Sequence, residues 1–316
     1  PTAIVLGGRA FREKPPVFAS RTADKSGAAL FGETFPTRNQ RGSGRVDTHK
    51  VPYVPQPALG VMGVYDQIIL VGAATPVAFF AYPNTPSVLV REDATIATLT
   101  TFEDAVQPAL AGLADALGAR AGSETLQERV TPPAPAGART AAAIGDTLAA
   151  LLPDDAIVSD EGISCAAEIF GRTAGAARHD WLAITGGAIG QGLPVSFGAA
   201  VACPDRKVIA LQADGSGMYT VQSLWTMARE NLNIVTIVFS NRIYKILRGE
   251  LTNVGVQNPG PRAIDMLTLD RPNLGWVDMA KGMGVPGEEV TDCEGLMKAI
   301  EVGIQTDGPY LIDLIM

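Results

Sequence analysis

The stretch VIALQADGSGMYTVQSLWTMARENLNIVTIVFSNRIYKILRGEL, residues 208–251, decides the fold of this chain. It opens on an apolar run, Val208 to Leu211, short and bounded enough to be a buried strand. Asp214-Gly215-Ser216-Gly217 follows, a glycine-rich turn with one carboxylate at the carboxyl end of that strand. Val221, Leu224, Trp225 and Ala228 then recur at helical spacing. A β-branched run from Ile234 to Phe239 makes a second strand that ends at Ser240-Asn241. Parallel strands joined by a helix point their carboxyl ends the same way. Asp214 and Asn241 are therefore expected side by side at the rim where open α/β sheets bind ligands. One charged oxygen, one amide oxygen and the turn carbonyls form a hard-oxygen set suited to Mg²⁺ or Ca²⁺. That set is too small to fill a coordination shell without phosphate and water. Gly215 and Gly217 also let backbone N–H groups approach a phosphate. A lone Asp-Gly pair would equally suit an ordinary capped turn.

Composition bounds the rest. A chain of 316 residues, 47% hydrophobic and 18% charged, can bury two cores. Its net charge of −8, with no basic stripe, argues against a nucleic-acid partner. Cys165, Cys203 and Cys293 are too scattered for a disulfide framework or a metal cluster and fit a reducing cytosol, so a cytoplasmic location is expected. No apolar run of about eighteen residues predicts a membrane span, and no secretory signal precedes the first strand. The chain starts at Pro1 and enters a strand at once, which reads as the middle of a longer protein.

Taken in order, Thr2–Leu6 predicts a strand running into Gly7-Gly8-Arg9, and Ala28–Phe31 a second strand. Residues 36–57, rich in Arg, Gly and Pro, predict an irregular excursion in which Arg38, Arg41 and Arg45 are solvated or meet an anion. Ile68–Val71 and Ser87–Val90 predict strands, and Phe102–Leu117 a helix. Between Gly118 and Thr140 the prolines 132, 133 and 135 mark a semi-rigid linker. Beyond it, a helix at 141–151 leads to a strand, Ala156–Ser159, ending in Asp160-Glu161-Gly162-Ile163-Ser164. A second glycine-rich loop, Ala183–Gly192, precedes a helix at 193–202, and its glycines serve either a ligand or tight packing. Helices at 242–250, 276–282 and 294–306 and a closing strand at 310–315 complete the pattern, with 254–272 loop-like. His49 and His179 read as surface or packing residues. The expected architecture is α/β, two Rossmann-like domains with mostly parallel sheets: residues 1–120, a linker at 121–140, and 141–316.

Asp214-Gly215-Ser216, a helix, a hydrophobic strand and then Asn241 resembles the GDG…NN signature of thiamine diphosphate (ThDP) enzymes. Ala213 replaces the first Gly and Ser240 one Asn, and neither change removes a metal ligand. Gly186-Gly187-Ala188-Ile189-Gly190-Gln191-Gly192-Leu193-Pro194 is similar to the GG-x-x-G-x-x-LP loop of the acetolactate synthase and benzoylformate decarboxylase group. The resemblance makes residues 141–316 the domain that binds diphosphate and magnesium, and likens the first domain, with its VAFFAYP run at 77–83, to that group's central domain. It implies Mg²⁺ held by the side chains of Asp214 and Asn241 and the carbonyl of Ile243, with Ser164, Gly215 and Ser216 touching the diphosphate. By the same resemblance the Gly187 carbonyl and Ile189 N–H bond the aminopyrimidine, the Ile189 side chain bends the cofactor, and Leu247 and Glu250 approach the substrate.

It also implies a pyrimidine-binding domain, missing here, that supplies an activating glutamate, so no catalytic residue is assigned in this chain. The expected activity is decarboxylation of a small 2-oxo acid, with or without carboligation, in a homodimer or homotetramer, and Glu250 disfavours an aromatic substrate. FAD, carried by true acetolactate synthases, has no residue-by-residue match. Two alternatives stay open: a degenerate, non-catalytic ThDP-binding protein, and a NAD- or FAD-dependent oxidoreductase. The latter predicts a G-x-G-x-x-G turn with an acidic residue about twenty positions later, a pairing found at neither glycine turn.

Overall fold

A computed structural model describes residues 1–12 and 14–316. The chain folds as two compact units, Pro1–Gln127 and Glu128–Met316, so the predicted linker is divided between them.

The first unit is built on β1 (Thr2–Leu6), whose TAIVL sequence is apolar on both sides. Ala3 and Val5 pack with Phe31, Ala58 and Met62, whereas Ile4 and Leu6 pack with Phe11, Ala19 and Leu110. A strand buried on both faces must lie inside a parallel sheet covered by helices, and this one does. With β2 (Ala29–Gly32), β4 (His49–Lys50), β5 (Gln67–Val71) and β6 (Thr95–Thr100) it forms a sheet in the order β4-β2-β1-β5-β6, all parallel. A short strand, β3 (Asn39–Arg41), interrupts the excursion that the sequence left irregular, and that excursion ends in a helix, Pro55–Met62.

Three expectations change here. Ser87–Val90 is no strand; Val88 makes only an isolated bridge to Val77, and the outer strand is β6, whose first four residues are exposed. The helix read over 102–117 runs from Val106 to Ala116. A helix at Pro15–Ser26 was not expected, because two prolines at its start look like breakers although the first helical turn tolerates them. At the end of β2, the Glu33 carboxylate accepts the Gly8 N–H at 2.9 Å. The glycine turn therefore has an acidic partner that the sequence reading overlooked, although the G-x-G-x-x-G spacing is still lacking.

The second unit contains β7 (Ala156–Glu161), β8 (His179–Ala183), β9 (Val208–Ala213), β10 (Ile234–Ser240), β11 (Gly287–Val290) and β12 (Tyr310–Ile315). They run parallel in the order β11-β12-β10-β9-β7-β8. The helices at 141–151 and 276–282 and the strand at 310–315 match their predicted spans. β8, β11 and the helices Ala166–Arg172 and Pro261–Met266 were not predicted. On one face Leu193, Leu224, Met227 and Trp276 close over Val208, Ala210, Ile234 and Val238, each buried aliphatic contributing about 2 kcal/mol. Trp225, expected on the inner face, is 54% exposed with the Arg229 guanidinium 5.5 Å from its ring centroid; Met227 takes the inner position. Glu161 pairs with Gln212 in register, and Ala213 with Phe239. The carboxyl ends of β7, β9 and β10 therefore form one rim. The strand order reverses between β7 and β9, the position at which open α/β sheets leave a crevice.

Candidate functional site

Everything at this rim follows from strands that end in oxygen. Asp214 is the residue after β9 and opens a single helical turn, Asp214–Gly217. Its carboxylate is buried; one oxygen accepts the Gly215 N–H at 2.9 Å, the other the Arg242 N–H at 2.7 Å. The second bond ties the end of β9 to the chain just past β10. Burial pushes the Asp214 carboxyl above the ordinary range, and the bonds from Arg242 and Gly215 pull it back. Asn241, one residue past β10, accepts the Ile243 N–H on its side-chain oxygen at 2.9 Å, which fixes how that amide is turned. Arg242 takes the left-handed conformation (φ +59°) and makes the bend possible. The structure thus brings Asp214 and Asn241 together at adjacent strand ends, as expected from the strand-helix-strand pattern, with Ile243 bonded to Asn241.

Among the described residues, no group of three or more His, Cys, Asp or Glu side chains could hold a metal. A cation here would need donors of other kinds. The carboxylate, amide oxygen and backbone carbonyl of this rim are such donors and suit a hard cation. The residues present therefore fit Mg²⁺ with a diphosphate.

The glycines of the turn have a packing reason. A Cβ on Gly215 would fall 2.6 Å from the Tyr244 ring, and one on Gly217 2.7 Å from the Trp276 indole. Ser216 is buried, and its hydroxyl accepts Gln212 Nε2 at 2.8 Å. Ser164 lies half-buried in the turn after β7, next to Ile163 at φ +47°. Asp160 supports that turn, accepting the Gly162 N–H at 3.1 Å and the Trp181 indole N–H at 3.0 Å.

The second glycine loop contains a short 3-10 turn, Thr185–Gly187. Gly187 and Ile189, both assigned to the aminopyrimidine, here bond each other: the Ile189 N–H donates to the Gly187 carbonyl at 3.0 Å. The Ile189 side chain is 45% exposed. Leu247 and Glu250 lie on the helix Lys245–Asn253, Leu247 exposed and Glu250 half-buried with Asn253 Nδ2 donating to it at 3.3 Å.

Two groups of residues escaped the sequence reading. Gln212, hidden in the apolar run of β9, joins Glu161 and Ser216. Asp313 on β12 accepts the Ser240 hydroxyl at 2.5 Å and is pushed up to about 6, chiefly by burial, with help from the nearby charges of Glu289 and Asp214. A polar residue inside a buried strand was the available signal for both. His179, read as a surface or packing residue, is buried with Nδ1 2.7 Å from the Ala177 carbonyl.

Residues 162–314 match the thiamine pyrophosphate enzyme family, C-terminal TPP binding domain. The whole chain aligns at 41% identity with 61% of IlvX of Mycobacterium tuberculosis (strain H37Rv), provisionally named an acetolactate synthase large subunit. Over 170 residues, 54% of this chain and 31% of the relative, it is 31% identical to benzoylformate decarboxylase of Pseudomonas aeruginosa. Among solved structures, 99% of the chain superposes on 60% of the Rhodococcus jostii thiamine diphosphate-dependent 4-hydroxybenzoylformate decarboxylase, with a TM-score of 0.76 and 25% identity. The chain therefore spans about 60% of the length of the relatives it matches end to end.

Proposed function

We propose, on the premise that this chain belongs with the thiamine diphosphate-dependent enzymes of acetolactate synthase and benzoylformate decarboxylase type, that its second unit binds ThDP with Mg²⁺. The protein would use the cofactor to decarboxylate a small 2-oxo acid, with or without carboligation. The carrying observation is the pair Asp214 and Asn241 at the ends of neighbouring parallel strands, held there by the Arg242 and Ile243 amides. In this reading Asp214, Asn241 and the Ile243 carbonyl hold the cation. Ser164, Gly215 and Ser216 meet the diphosphate. When bound, the thiazolium ring supplies an electron sink for the pair left by departing CO₂. The chain's own work is placement. The Gly187 carbonyl and the Ile189 N–H would hold the pyrimidine, and the exposed Ile189 side chain would prop the cofactor. Leu247 and Glu250 line the substrate side, and a carboxylate there favours small, polar substrates over aromatic ones. The activating glutamate, the FAD-free central domain and a homodimeric or homotetrameric assembly belong to the same proposal.

The test is ThDP binding by titration calorimetry with Mg²⁺ and with EDTA, on the wild type, Asp214→Asn and Glu33→Gln. Removing the anionic ligand should weaken binding by roughly a hundredfold or more, EDTA should do the same, and Glu33→Gln should change nothing. Equal binding by wild type and Asp214→Asn would reject the site.

A further inference from the structure

Glu161 has no assigned task at the rim, yet it is almost fully buried and takes three donors. One carboxylate oxygen accepts the Gly190 N–H at 2.7 Å and Gln212 Nε2 at 3.0 Å; the other accepts the Gly192 N–H at 2.5 Å. The same Gln212 nitrogen reaches the Ser216 hydroxyl at 2.8 Å. One side chain thus grips the glycine loop and, through one amide, the turn that follows β9. Gly192 begins the eleven-residue helix Gly192–Ala202, so the carboxylate also faces the positive end of that helix. The fit leaves no slack. A Cβ on Gly192 would fall 2.8 Å from Glu161 Cβ, and one on Gly190 2.8 Å from Tyr219 Cβ, with Gly190 at φ +93°. Gly186 and Gly187, on the far side of Ile189, would meet nothing within 4 Å. The loop is therefore clamped at its carboxyl-terminal half, while Thr185 at the other end is tied to the Gln191 side chain and the stretch Gly186–Gly187 between them has open space around it.

We propose that Glu161 is a positioning residue: with Gln212 it locks Gly190, Gly192 and Ser216 into one unit, so that the pyrimidine side and the diphosphate side of the site are in register before the cofactor arrives. Charge-assisted bonds to backbone N–H groups are the strong kind, and burial strengthens them further. The free half of the loop, Gly186 to Ile189, is then the part that adapts. This rests on the ThDP reading above for its purpose, though the clamp itself is a property of the chain alone.

The experiment is hydrogen exchange followed by mass spectrometry on the purified chain, with and without ThDP and Mg²⁺, for the wild type, Glu161→Gln and Gln212→Leu. Glu161→Gln keeps shape but turns one acceptor into a donor aimed at an N–H. Without cofactor, exchange at Gly190 and Gly192 should rise roughly ten- to a hundredfold, while β7 and the helix at 141–151 stay as protected as in the wild type. Gln212→Leu should leave the loop protected and loosen only the turn at 214–217. Both variants should bind ThDP about tenfold more weakly through lost preorganisation, with a thermal midpoint lowered by only a few degrees. Wild-type exchange at Gly190 and Gly192 in Glu161→Gln would overturn the proposal. So would a loss of protection spread evenly through the unit, which would make Glu161 a core support only. If ThDP protects nothing in the wild-type chain, the cofactor reading fails, while the cofactor-free measurements still decide the clamp.

Discussion

Each unit has a point where its strand order reverses, between β1 and β5 in the first and between β7 and β9 in the second. The two have been filled in opposite ways. In the first, backbone meets backbone: a Cβ on Gly7 would lie 2.4 Å from the Gly72 carbonyl oxygen and 2.7 Å from Ala73 Cα. The Gly7 N–H bonds the Val71 carbonyl at 3.0 Å, and Glu33 takes the next N–H. In the second, the rim holds the buried carboxylates Asp160, Glu161 and Asp214, with Asp313 nearby. Their glycines meet side-chain atoms instead of main chain. The same topology makes a closed joint in one unit and a polar, adjustable site in the other. What separates them is whether a glycine's missing Cβ makes room for main chain or for side chains.

The hardest test of this contrast is Gly7→Ala. Two main-chain atoms would have to retreat, and overpacking of that kind costs about 3 kcal/mol. Urea unfolding, with exchange of the β1 amides to separate the two units, should register that loss while ThDP affinity in the second unit is unaffected. A cost below about 1 kcal/mol, the scale of ordinary surface changes, would mean the first crevice is not closed by its backbone.

A smaller effect is expected at Asp313, where the second rim shows the stability cost of buried charge. Its carboxyl is raised to about 6 in the folded chain, against roughly 4 when unfolded. The folded state thus prefers the proton. The stability this gives is complete below about pH 4 and is lost as the pH rises through about 6. Asp313→Asn keeps an acceptor for the Ser240 hydroxyl and cannot ionise. The variant should match the wild type near pH 4 and exceed it by about 2 kcal/mol at pH 7. Parallel urea series across that range check it; a gap that does not change with pH would show that Asp313 carries no such penalty.

How far this could be read in advance follows from the same physics. The strand-helix-strand stretch at 208–251 was legible because hydrophobic periodicity and oxygen-bearing strand ends are local properties. β6 and β11 were not, because edge strands that are largely exposed carry no apolar run: TIATLT and GEEV look like loop. β8 begins with His179 and Asp180, which the surrounding packing, not the sequence, buries. In the site, Asp214 and Asn241 announced themselves by their turn. Glu161 was visible as a rim carboxylate, but its partners lie 29, 31 and 51 residues away. Only the register of β7 against β9 brings them together.

The smallest effect is expected at Gly186, which sharpens the contrast from the other side. Its φ is +61°, so glycine suits it, yet a Cβ there would meet nothing within 4 Å. Gly186→Ala therefore carries only the strain of a left-handed residue, about 1 kcal/mol, and no clash. Part of even that is offset, because alanine also restricts the unfolded chain. The thermal midpoint should fall slightly, and exchange at Gly190 and Gly192 should stay at the wild-type level, since their amides are held by Glu161 on the other side of Ile189. If Gly186→Ala instead costs as much as Gly7→Ala, space at the second rim is as tightly committed as at the first. The two reversals would then differ only in chemistry, and the open half of the loop could not be the part that yields to a ligand.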